Sequence, residues 1–119
     1  MKLFLDDIRP CPRGYIKIDN YQDCIEFLLK NRNKIDTISL DHDLGEIKTG
    51  YDVCKWIVAN EYYDNLQEII IHSANPVGTK NMLQLLDKYC PDHIKLFYID
   101  ISKNYNEFYR IKENYMERD

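Results

Sequence analysis

The chain is poor in the residues that interrupt or cross-link a fold. Its 119 residues include four glycines and four prolines, which excludes collagen-like, linker-like and low-complexity organisations. Cys11, Cys24, Cys54 and Cys90 form no CxxC pair and no zinc spacing, so free thiols in a reducing cytoplasm are expected. No apolar run approaches the roughly 20 residues of a membrane span. The start, Met1-Lys2-Leu3-Phe4-Leu5, turns acidic at Asp6-Asp7, unlike a secretion signal. A cytoplasmic protein without a membrane partner is the expectation. Basic residues are also in deficit: 20 acids against 16 bases give a formal net charge of −4, which argues against sequence-independent DNA binding. A small phosphorylated ligand stays open, because a bound cation can supply local positive charge.

What is present is an ordinary globular composition, 45% hydrophobic and 30% charged, in one domain covering 1–119. Lys2 to Leu5 reads as a buried strand that stops at Asp6-Asp7. Pro10, Pro12 and Gly14 make the next stretch a loop, and Tyr15 to Ile18 is a short strand. Asn20 has the character of an N-cap, followed by Tyr21, Cys24, Ile25, Leu28 and Leu29 on one helical face. Asp36 to Leu40 is a strand that ends in Asp41-His42-Asp43. A glycine-containing loop leads to a second helix through Tyr51, Cys54, Ile57 and Val58. Glu68 to Ile71 is a strand ending at His72-Ser73. A third helix is expected from about Lys80 to Tyr89, a last strand from Ile94 to Ile101, and a final helix from Asn104. This alternation predicts an α/β fold: a mostly parallel five-stranded sheet with about four helices, covered on both faces.

In such sheets, ligands sit beyond the carboxyl ends of the strands. Three strand ends here carry polar clusters: Asp6-Asp7, Asp41-His42-Asp43, and His72-Ser73 with Asn75. Carboxylates gathered at one point repel one another, and a divalent cation relieves the conflict. Oxygen ligands point to Mg²⁺ or Mn²⁺, held by Asp6, Asp7 and Asp41. Asp43 either supports the metal or caps the loop before Gly45. His72, at the mouth of its strand, is a candidate general acid or base. His42 has three open roles: metal ligand, second acid/base group, or a side chain on the opposite face. Arg9, Ser73, Asn75, Gly78, Thr79 and Lys80 are candidate phosphate contacts, the last three at a helix start; Thr79 could instead be a plain cap. The GxxxxGK[ST] pattern is absent.

The motifs Leu5-Asp6-Asp7-Ile8-Arg9-Pro10, Ser39-Leu40-Asp41-His42-Asp43-Leu44-Gly45, Thr49-Gly50-Tyr51-Asp52 and His72-Ser73-Ala74-Asn75-Pro76 together resemble the cyclic-phosphate processing receiver-like domain family, over about residues 1 to 90. The resemblance implies a three-layer, receiver-like (flavodoxin-like) fold. Asp6-Asp7 would match the receiver's acidic pair, Asp41 its phosphoacceptor and Ser73-Ala74 the end of its fourth strand. The chain departs from an ordinary receiver in three ways. A Pro-rich loop replaces the first helix, Asp100 stands where the fifth strand would end in Lys (with Lys103 further on), and His42 and His72 are additions. The expected activity is that of a metal-dependent phosphoesterase acting on a cyclic phosphate or a related nucleotide or RNA-end phosphoester. The rivals are a phospho-switch with Asp41 as acceptor, and a nucleotide-binding module without turnover.

Overall fold

The structure, a computed structural model, describes residues 1–99 and the backbone of 116–117. The expected final helix from Asn104, together with Asp100 and Lys103, lies outside the described residues. Among the described residues nine elements follow in order: β1 (Lys2–Leu5), β2 (Ile16–Ile18), α1 (Tyr21–Lys30), β3 (Thr37–Leu40), α2 (Gly50–Ala59), β4 (Glu68–His72), α3 (Pro76–Tyr89), β5 (Lys95–Ile99) and β6 (Met116–Glu117). The sheet order is β2-β1-β3-β4-β5-β6. The first five strands are parallel, as expected for a receiver-like α/β domain, and β6 adds an antiparallel strand on the β5 edge.

The strand order decides where the helices go. From β2 onward each crossover moves the same way along the sheet, β2 to β3, β3 to β4, β4 to β5. Right-handed crossovers running in one direction share one face. Accordingly, the buried residues of α1 (Cys24, Ile25, Leu28), α2 (Val53, Cys54, Ile57) and α3 (Met82, Leu86) join one core cluster with Leu3, Leu5, Ile38, Leu40, Ile69, Ile71 and Leu96. Phe4, Ile70, Phe97 and Ile99 are buried as well but lie outside that cluster. By strand alternation they face the other way. Only the β1-to-β2 step runs backwards, and it is the Pro-rich loop. The reversal between β1 and β3 is the topological switch point of this sheet, the place where such folds bind ligands.

Local chemistry sets the helix starts. Asn20 caps α1 by accepting the Asp23 N–H. Thr49 and Asp52 form a reciprocal capping box on α2, the arrangement that satisfies two otherwise orphaned donors. The third helix starts about one turn earlier than its apolar spacing predicts. Asn75 caps it by accepting the Gly78 N–H, and Pro76 occupies the first turn, where its missing N–H costs nothing. The alternative that Thr79 is the cap is thereby corrected: its N–H already bonds the Asn75 carbonyl within the helix. Among the described residues no helix is long and apolar enough to cross a membrane, and the four cysteines are free, with only Cys11 exposed.

Candidate functional site

Backbone pairing sets the site. The β1–β3 ladder extends one step past the strands through Asp41 N–H to Leu5 O, 2.9 Å. This puts Asp41 beside Asp6 on the face opposite the helices. The carboxylates of Asp6, Asp7 and Asp41 each offer an oxygen within 4.8 Å of the others. Asp6 and Asp41 are buried and Asp7 is half-buried. The close approach of these three, expected from strand ends alone, is what the structure places.

Asp6 is the most heavily bonded. Its Oδ1 accepts the backbone N–H groups of Ile8 and Arg9, both at 2.9 Å. Its Oδ2 faces Arg9 Nη1 at 3.1 Å and His72 Nε2 at 3.0 Å. Four donors fill the lone-pair positions of a carboxylate. Burial by itself would raise the Asp6 pKa, but the His72 hydrogen bond and the two backbone donors outweigh it and hold the group well below the usual carboxylate range. Asp41 is the opposite case. Burial and the adjacent Asp6 charge push it up to about 6, against the pull of Arg9 and the His42 N–H. Arg9 is the link between them: one nitrogen, Nη1, contacts Asp6 at 3.1 Å and Asp41 at 3.0 Å.

His72 does not fit the general-acid role expected of it. The ring has no exposed surface, and both nitrogens are engaged: Nε2 on Asp6, and Nδ1 at 2.7 Å from Ser39 Oγ. It stacks on Phe4 with centroids 4.4 Å apart and planes at 5°. Burial lowers its pKa despite the Asp6 carboxylate, so the neutral ring, donating from Nε2 and accepting Ser39 O–H at Nδ1, is the form these partners fit. A proton donor must reach the substrate, and His72 lies beneath Asp6 instead. It positions that carboxylate. Ser39 and Phe4 complete this support, and the motifs give neither of them a role. Period-2 alternation was the available signal: Phe4 and Asp6, Ser39 and Asp41, Ile70 and His72 all point to one side.

His42 resolves differently. Its ring is partly exposed, and Nδ1 lies 2.8 Å from Asp43 Oδ1. Asn75 Nδ2 reaches Asp43 Oδ2 at 3.3 Å. Asp43 therefore braces His42 and is not among the clustered carboxylates, which corrects its expected place as a metal ligand. The imidazole packs against the start of α3, where a Cβ on Gly78 would come 2.4 Å from His42 Cγ. On the other side, a Cβ on Gly50 would come 1.9 Å from the Asp41 carbonyl oxygen. Two glycines thus give room to neighbouring site residues.

The phosphate contacts expected at the third helix are mostly committed elsewhere. The Gly78 and Thr79 N–H groups serve the cap and the helix, and Lys80 is exposed in the second turn. Ser73 is buried and accepts the Asn75 N–H at 3.0 Å. Arg9, by contrast, lies directly on the carboxylates.

A divalent cation fits this donor set. Three carboxylates in reach of one another are hard oxygen ligands of the kind Mg²⁺ and Mn²⁺ take, and a cation would offset both the burial and the Asp6 charge that push the Asp41 pKa up. Arg9 would have to yield at least part of its double contact, since Asp6 has no spare lone pair while it is held.

A parallel sheet in 2-1-3-4-5 order, with an acid pair after β1, Asp41 after β3 and Ser73 after β4, defines a receiver-like α/β domain with an acidic site. The family model for the cyclic-phosphate processing receiver domain matches residues 1–88, and the chain belongs to that family. No curated protein and no solved structure matches it.

Proposed function

We propose that the chain is a metal-dependent phosphoesterase that opens a cyclic phosphate or cleaves a related nucleotide or RNA-end phosphoester. The observation that carries this reading is the His42–Asp43 pair beside Asp41. A carboxylate on Nδ1 fixes the ring and its tautomer, leaving Nε2 for a proton. A phospho-switch has no need of such a pair.

Asp7 and Asp41, with Asp6 once Arg9 moves, would hold Mg²⁺ or Mn²⁺. When bound, the cation would offset phosphate charge as the P–O bonds change. The remaining work falls to side chains. Hydrolysis of a cyclic phosphate forms one P–O bond to water and breaks one to a sugar oxygen; the water loses a proton and the sugar oxygen gains one. His42 is the group to move that proton. Arg9 lies within reach of a phosphate at the same carboxylates and is the anion contact. His72, Ser39 and Phe4 keep Asp6 oriented.

The second reading, Asp41 as a phosphoacceptor, draws on its place at the end of β3 next to an acid pair. A substrate panel separates the two: 2′,3′-cyclic nucleotides, cyclic mononucleotides, linear phosphoesters and ADP-ribose derivatives, each with Mg²⁺ or Mn²⁺. Turnover that falls about 100-fold or more in His42→Asn, and is lost in Asp41→Asn, supports the phosphoesterase. No turnover on any member, with Asp41 labelled by acetyl phosphate, supports the switch and overturns it.

A further inference from the structure

The three most exposed large apolar side chains among the described residues are Ile47 at 97%, Ile8 at 74% and Val77 at 69%. They are not scattered. Ile8 directly follows Asp7 after β1, Ile47 lies on the loop after β3, and Val77 opens the helix after β4. Those three strands are adjacent in the sheet, and their carboxyl ends carry the acids and His42. The most water-exposed aliphatic groups therefore sit at the edge that holds the site.

Each of the three lies next to an anchored group. The Ile8 N–H bonds Asp6 Oδ1 at 2.9 Å. Ile47 stands between two anchors on α1: Glu46 Oε2 accepts the Tyr21 N–H at 2.8 Å, and Lys48 Nζ lies 5.2 Å from the Tyr21 ring centroid. Val77 is in the capped first turn of α3. Apolar surface gathered at the rim of a polar centre is the usual mark of a ligand-binding face.

We propose that Ile8, Ile47 and Val77 form an apolar collar that receives the uncharged nucleoside part of a mononucleotide whose phosphate lies at the carboxylates. This rests on the phosphoesterase reading and narrows its substrate class. Charge selects the occupant. A polynucleotide needs a row of Lys and Arg for its phosphates, whereas this chain carries a net charge of −4 and clustered carboxylates at the site itself. A ligand with one phosphate and a broad neutral part meets the charge at a single point and gains dispersion contact from the aliphatic side chains around it. Binding energy from such a remote part can be used at the reacting centre.

The test is methyl and amide NMR on the whole chain with labelled Ile and Val, titrated in MgCl2 with 2′,3′-cyclic AMP or with inorganic phosphate. The expected result is that the Ile8, Ile47 and Val77 methyls shift with the nucleotide and not with phosphate. Ile47→Ser, a change at a fully exposed position, should weaken nucleotide binding about fivefold or more and leave phosphate binding unchanged. Nucleotide-induced shifts at the Asp41 and His42 amides with silent methyls would overturn the collar while the phosphoesterase reading stands. Silence at those amides with both probes would count against both. Methyl shifts that depend only on protein concentration would make the collar a self-contact and overturn the proposal. An oligonucleotide with a terminal 2′,3′-cyclic phosphate that binds more tightly than the mononucleotide would overturn the choice of a single-phosphate ligand.

Discussion

The His72 ring lies flat on Phe4, 4.4 Å between centroids, and aims Nε2 at Asp6 Oδ2 from 3.0 Å. This makes His72 a buried support, and supports fail differently from catalytic acids. His72→Ala leaves a cavity over Phe4 and strips partners from Ser39 and Asp6. It should destabilise the fold by about 3 kcal/mol. Urea unfolding measures this, and a loss below about 0.5 kcal/mol would show that the ring is not structural.

Asp41 carries a stability cost with a defined pH window. Its folded pKa, about 6, lies above the ordinary value of 3.8. Between the two, the folded state binds more protons than the unfolded state, so this group makes stability fall as pH rises from about 4 to about 6. Asp41→Asn removes that slope. The variant should match the wild type near pH 4 and exceed it by about 2 kcal/mol above pH 7, in metal-free buffer. Equal pH profiles for the two proteins would contradict the burial of Asp41 beside the Asp6 charge.

In the proposed phosphoesterase, a divalent cation would compete with Arg9 for the same oxygens. Arg9→Gln leaves Asp6 and Asp41 facing each other without a neutralising charge and should cost about 2 kcal/mol in EDTA. Added MgCl2 should then raise the melting temperature of the variant more than that of the wild type, because binding to the folded state stabilises it by mass action. A smaller shift in the variant would indicate that Arg9 assists the ion.

Gly78 tests the seat of His42. A methyl group there would come 2.4 Å from the imidazole, so in Gly78→Ala either the ring or the helix start must shift, and the ring, on the partly exposed side, is the part expected to move. The expected result is a change in the His42 ring resonances, with a stability loss of about 1–3 kcal/mol. An unmoved His42 signal would show that the helix start yields instead.

Much of this architecture was legible because its signals are local. The apolar run Leu3-Phe4-Leu5, the three consecutive isoleucines of β4 and the helical spacing from Tyr21 to Leu28 each identify an element without outside information. The acids at strand ends were legible because parallel sheets collect those ends. The sequence does not reveal depth. Spacing alone puts His72 at the mouth of its strand, but the strand extends through it and alternation turns it under Asp6. The start of α3 was displaced because Asn75-Pro76 sets it through a side-chain cap, whereas the apolar spacing begins only a turn later. The two roles of Asp43 and His42 depend on which neighbour each one meets across the sheet, and spacing along one strand carries no information about that.

The backward step from β1 to β2 has a consequence for how the site is loaded. Because that connection is a short loop, Arg9 sits three residues beyond Asp6 and spans to Asp41 through one nitrogen. The domain thus carries its own counter-ion. Any cation that enters would have to replace a tethered side chain, so occupancy would be an exchange reaction. Its selectivity is set by how much better the newcomer satisfies these oxygens than a guanidinium already does.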